Sequence, residues 1–196
     1  MTPFDRAEVE AAFRHYFLTG PVGEDWAAWS QLFTDDATYT DHFYGAFHGP
    51  LEIQKFLEST MSFASHVYSV LDWYNIDGAQ IVYKVSNRAD NPEPGGAPLQ
   101  FPSLQIIQYA GDGKWASEED WWIMKEMKKF NELYTAQSQQ FDPDHKQKMS
   151  RLDWGSEHDW ARPASAAHGP SPSWAGRNDV PKVASIRDMN FGKRFS

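Results

Sequence analysis

With 196 residues and a formal charge of −9, the chain has room for one domain and an appendage, and its acidity opposes binding to phosphate backbones, so no nucleic-acid partner is expected. The lack of cysteine removes disulfides, thiol nucleophiles and thiolate metal sites, and no run approaches a membrane span or a secretory leader, which points to a soluble cytoplasmic protein. Aromatic residues make up 15% of the chain, with nine tryptophans, a composition suited to a large core and to a pocket for a flat ligand.

In chain order, Asp5 to Leu18 places Val9, Phe13, Tyr16 and Phe17 at helical spacing, and Thr19-Gly20-Pro21 predicts its end. Glu24 to Leu32 predicts a short second helix carrying Trp26 and Trp29. A strand follows over Ala37 to His42, with Tyr39 and Asp41 on one side, and then a glycine-punctuated loop through Gly45 and Gly49. Pro50 suits the first turn of a third helix bearing Ile53, Phe56 and Leu57. From His66 the period changes. His66 to Ile76, Gln80 to Arg88, Leu99 to Tyr109 and Trp115 to Trp122 are β-branched or aromatic runs separated by turn residues, which predicts a block of antiparallel strands. Helices covering one face of a curved sheet make this an α+β domain. A final amphipathic helix takes Ile123, Met127, Phe130 and Tyr134, with Met124 and Leu133 alongside. Residues 142–196 lose all period and are rich in Pro, Gly and Ser. They read either as a disordered tail or, through Trp154, Trp160, Trp174 and Phe191, as an extended arm anchored on its own domain or on a neighbour.

The element order, together with LFTDDATYTDHFYGAFHGPLEIQKFL and YAGDGKWASEEDWW, resembles the NTF2-like superfamily and its SnoaL-like branch over residues 4–141. The resemblance implies a cone-shaped α+β barrel around a deep apolar pocket, a homodimer, and relatives as varied as ketosteroid isomerases, polyketide cyclases, limonene epoxide hydrolases, dehydratases and binding proteins without activity. Fold alone does not choose among them.

Three constellations fall in the implied pocket. Tyr16 and Asp41 match the isomerase's phenol and acid, with Gln105 where that family carries a second oxyanion donor; Asp41 equally suits a loop cap before Gly45. Glu118 and Asp120, two residues apart, share one strand face, and the resemblance places the catalytic acid of cyclases and epoxide hydrolases at Asp120, although both also read as the polar end of a strand. Arg88, within Asn87-Arg88-Ala89-Asp90, lies near the position of the arginine that epoxide hydrolases pair with their acid, while Ile123 replaces their further acid. If Arg88 faces the cavity, Asn87 does not. Of the histidines, His42 and His66 are candidates for a proton shuttle with Asp120, and none has metal-site spacing. The expected site therefore holds Asp120, Asp41, Tyr16, His42 and Arg88 as acting groups, and Tyr39, Glu118, Tyr83, Asn87, Gln105, His66 and Trp122 against the substrate. No cofactor or metal is called for. The implied protein is an acid/base enzyme on a hydrophobic, cyclic small molecule, or a binding protein of the same fold.

Overall fold

The computed structural model describes residues 4–164 and 172–180. Helix α1 (Arg6–Phe17) begins where the Asp5 carboxylate accepts the backbone N–H of Ala7 at 3.2 Å, and it buries Val9, Phe13, Tyr16 and Phe17. It does not stop at Thr19. The backbone continues through a π-helical turn, Leu18–Val22, with Pro21 inside it. The wider turn accommodates the missing proline N–H, and Gly20 lets the Trp29 indole approach so closely that an added Cβ would meet its Cδ1 at 2.4 Å. Helix α2 (Trp26–Ser30) is capped by Asp25, which accepts from the Ala28 N–H at 3.0 Å.

Strand β1 (Phe33–Asp41) starts earlier than the alternation suggested, and the expected glycine loop contains a second strand, β2 (Gly45–His48). Four residues are too few to show a period, but Phe47 points into the core and pairs with Tyr39. Gly49, at φ 68°, turns the chain so close to the Asp35 carbonyl that a Cβ would lie 2.9 Å from its oxygen. Helix α3 (Gly49–Phe63) follows, with Pro50 in its first turn and Glu52 accepting the His48 N–H at 2.9 Å.

Strands β3 (Tyr68–Asp77), β4 (Gln80–Ala89), β5 (Leu99–Gly111) and β6 (Lys114–Trp122) are antiparallel neighbours, as predicted. Strand β1 joins β6 in parallel, so the sheet is mixed, in the order β2-β1-β6-β5-β4-β3. Register shifts in β1, in β3 and between β5 and β6 bend it around α1 and α3. Helix α4 (Met124–Phe141) buries Phe130 and Tyr134. Ile123, expected on the buried face, precedes the helix and is 52% exposed, and Met124 and Leu133 beside that face are 39% and 44% exposed.

The C-terminal segment lies along β3, the edge of the sheet. Ser156 donates to the Leu71 carbonyl at 2.8 Å, Trp154 packs on Tyr68, and Trp160 meets Phe13 and Phe17 of α1 and Tyr74 of β3. Trp160 thereby spans the contact between α1 and the sheet edge. Arg151 forms a buried ion pair with Glu24 at 2.5 Å and donates to the Ser65 carbonyl at 3.1 Å. Farther along, Arg177 pairs with the buried Glu58 at 2.6 Å and Trp174 packs against the main core. Phe191 lies outside the described residues.

Candidate active site

The sheet register builds the site. Across the inner face, Asp41 of β1 stands beside Asp120 of β6, Asp120 beside Gln105 of β5, and Gln105 beside Tyr83 of β4. One rung away, Tyr39 stands beside Glu118. From the opposite wall, α1 delivers Tyr16. These side chains line a cavity of about 80 Å³, closed by Trp26 and Trp29 of α2 and by Phe56, Thr60 and Met61 of α3.

Two phenol–carboxylate clusters fill its polar half. Tyr16 donates to Glu118 Oε2 at 2.5 Å, and the Tyr83 hydroxyl lies 3.0 Å from that of Tyr16 and 3.3 Å from Glu118 Oε1. Tyr39 donates to Asp120 Oδ2 at 2.5 Å, while Asp120 Oδ1 is buried without a partner. Asp41 caps its loop and also reaches the cavity wall. Its Oδ1 accepts the backbone N–H groups of Phe43 and Tyr44, each at 2.8 Å, capping the β1–β2 turn, and its Oδ2 accepts the Trp122 indole N–H at 2.9 Å at the cavity wall.

Burial removes the water that would hold these acids ionised. It pushes Glu118 up to about 8 and Asp120 well above the carboxylate range. Asp41 rises to about 6, the same desolvation being partly offset by its N–H donors. Glu118 and Asp120 also repel each other's charge, so they titrate as a pair that retains a proton near neutral pH. The three phenols are driven far above their usual range by burial and by the neighbouring carboxylates, and stay protonated.

These shifts fix a stability profile. Asp41, Glu118 and Glu24, the last pushed up to about 7 by burial, all hold protons more tightly folded than unfolded. Their contribution is complete below the unfolded values of about 4 and is lost as pH rises through the folded ones. The melting temperature is expected to fall between about pH 5 and about pH 8.5; a flat or rising profile from thermal unfolding would show these acids to be hydrated.

Several expected members lie elsewhere. His42 sits on the outer face, 2.6 Å from Glu119 and stacked on Trp121, because it follows Asp41 and alternation turns it outward. Arg88 likewise points away: it donates to Gln100 at 2.9 Å and to the Asp153 carbonyl at 2.7 Å, and Asn87 takes the inward place, donating to Ser103 at 2.8 Å. Asp90 accepts from Tyr68 at 2.7 Å and from Ser150 at 2.5 Å. The NRAD segment thus anchors the C-terminal segment rather than activating water. His66 precedes β3 beneath α4, its ring 4.1 Å from that of Tyr134, and burial pushes it down to about 3, leaving it neutral. Gln105 does face the cavity, held by its amide N–H on Ser103 at 2.6 Å. Trp26, Trp29 and Phe56 also line it, although in the sequence they carry only a helix-core signal. Among the described residues no His, Asp and Glu side chains group as metal ligands, and no helix is long and apolar enough to cross a membrane.

The profile of the SnoaL-like domain matches residues 6–118 of the chain. No curated protein matches it. Among solved structures, the epoxide hydrolase/cyclase-like enzyme SalBIII of pyran ring formation in salinomycin superposes with a TM-score of 0.51 at 17% identity, over 62% of this chain and 95% of that one. An LEH-like epoxide hydrolase of M. tuberculosis gives 0.51 at 17% identity, over 66% and 93%. TerC, crystallised with polyporic acid, gives 0.51 at 15% identity, over 65% and 98%. At these identities the likeness is one of fold.

Proposed function

The chain belongs to the SnoaL-like domain family, and on that premise we propose that it is a cofactor-independent enzyme that moves protons on a hydrophobic, ring-bearing small molecule. Asp120 is the principal acid and base. The observation that carries this reading is its geometry: one carboxylate oxygen is fixed by Tyr39 and the other is buried, unpartnered and at the cavity wall. Such a group, protonated at rest, donates its proton to a leaving or bridging oxygen of the substrate and recovers it from carbon or from water later in the cycle. Tyr39 steadies the carboxylate formed in between. Tyr16 and Tyr83 hold Glu118, which tunes Asp120 by charge, and Asp41 keeps Trp122 in place. Cyclisation, dehydration, isomerisation and epoxide opening all use these parts, and SalBIII and the epoxide hydrolase are relatives of the fold with such chemistry in their names. The exposed Trp73 and Trp121 outside the cone motivate a homodimer.

A second reading has its own support. All three phenols already donate within the cavity wall or stand against one another, and Arg88 is turned away, so the donors that an oxyanion would need are engaged. That favours a ligand-binding protein without turnover.

The test incubates the purified chain with polycyclic ketones, terpene epoxides, hydroxylated steroids and amine-bearing counterparts, and reads product mass. Gain of water, loss of water, or a shifted retention at constant mass each supports the enzyme and names its reaction. Retention of compounds in native mass spectrometry with no product supports the binder, and the same spectra give the oligomeric mass.

A further inference from the structure

The cavity combines two features that are seldom found together. Its acids are Asp41, Glu118 and Asp120, and its remaining titratable groups are the phenols of Tyr16, Tyr39 and Tyr83; among the described residues no Lys, Arg or His lines it. Helices α2 and α3, which form the facing wall, present Trp26, Trp29, Phe56, Leu57, Thr60 and Met61, none of them charged. Asp120 lines the cavity and is 5% exposed, and its Oδ1 is buried without a hydrogen-bond partner. The Gln105 carbonyl oxygen beside it in the sheet is also buried without a donor.

A carboxyl that ionises in a dry site needs a counter-charge, and elsewhere in this molecule the chain provides one: Arg151 reaches Glu24, and Arg177 reaches Glu58. At the cavity the described residues provide none. What it supplies instead is a wall of aromatic rings, whose faces attract cations most strongly when water is excluded. Anionic ligands are repelled by the acids, and a neutral ring leaves both orphan acceptors unpaired.

We propose that the cavity binds a small organic cation, a protonated tertiary or quaternary ammonium group on a hydrophobic body, seated on the aromatic wall with its charge toward Asp120 and Asp41. This deepens the enzyme reading by naming the substrate class of the same site, and rests on that reading only for turnover. One carboxylate neutralises the cation, and the proton kept by the others remains available for the acid/base step. Once Asp120 has given up its proton, a protonated tertiary amine also supplies an N–H donor to the carboxylate left behind.

The probes are choline and 3,3-dimethylbutan-1-ol, which have nearly the same shape and differ in charge, titrated into the full chain by calorimetry. Choline is expected to bind about tenfold tighter near neutral pH, with the gap widening toward about pH 8.5 as the acids ionise. Asp120→Asn is expected to close most of the gap, Glu118→Gln serves if that variant misfolds, and Glu119→Gln on the outer face is expected to preserve it. Equal affinities, tighter binding of the alcohol, or no choline binding up to about 50 mM overturns the proposal. The outcomes separate from those of the enzyme reading: product from neutral compounds with no choline preference removes the cation and keeps the chemistry, and choline preference without any product does the reverse.

Discussion

Replacing Asp120 with Asn is expected to reduce turnover by about three orders of magnitude, within the range that a positioned acid/base group contributes. The substitution keeps the shape of the side chain and an oxygen for Tyr39 to donate to, so the cavity wall stands. What disappears is the proton on the buried Oδ1. Affinity for a neutral ligand should change little, and that for a cation should fall about tenfold, because an amide cannot give up a proton to leave a charge facing the cation. Stability should hold or rise slightly, since a carboxyl driven far above its usual range by desolvation is itself a strained choice in that position. Steady-state rates and thermal unfolding on the same preparation decide the matter; full activity in the variant would move the chemistry to Glu118 or to Asp41.

Arg151→Ala should destabilise the fold by about 3 kcal/mol, the scale for removing one partner of a buried ion pair. Both side chains are almost wholly enclosed, at 2% and 1% exposure, and Glu24 would be left as a carboxyl facing a void. The hydrogen bond from Arg151 to the Ser65 carbonyl goes with it, and with that bond the start of the segment that lies along β3. For a chain of this length the loss corresponds to a fall of roughly 6–12 °C in melting temperature. Arg162→Ala is the matched control, because Arg162 pairs with Asp159 at the surface, where such pairs contribute within about 1 kcal/mol. Equal melting of the two variants would show that the arm is not held by its buried charge.

Much of this was readable beforehand. The 3–4 spacing of Val9, Phe13 and Phe17 and the alternation through β3 to β6 carry strong periodic signals, and the structure follows them. The π-helical turn and β2 were not readable, because five residues and four residues are shorter than any period they might display. Of the site, the inward set Tyr39, Asp41, Glu118 and Asp120 follows from alternation alone once the strands are right. Arg88 and Asn87 exchanged roles because alternation says that neighbours face opposite ways without saying which faces in. The partners that fix Arg88, Gln100 and Asp153, come from a hairpin loop's far side and from the C-terminal segment. Trp26 and Trp29 were hidden for another reason. A tryptophan packed in a core and one lining a cavity leave the same mark in a sequence.

The parallel pairing of β1 with β6 also orders events during folding. Tyr39 and Asp120 are separated by 81 positions, and the strands that carry them meet only when everything between has been gathered into one closed loop. The β3–β4 and β5–β6 hairpins have short closures and can form first, since the entropic cost of joining chain ends grows with the length enclosed. Until β1 docks, Asp120 stays hydrated and ionised, and its dehydration falls on that long closure, as that of Glu118 falls on the still longer one that brings Tyr16 across 102 positions. The residues that give the cavity its chemistry therefore oppose the step that creates it, and their protonation state helps to set how fast the molecule is born.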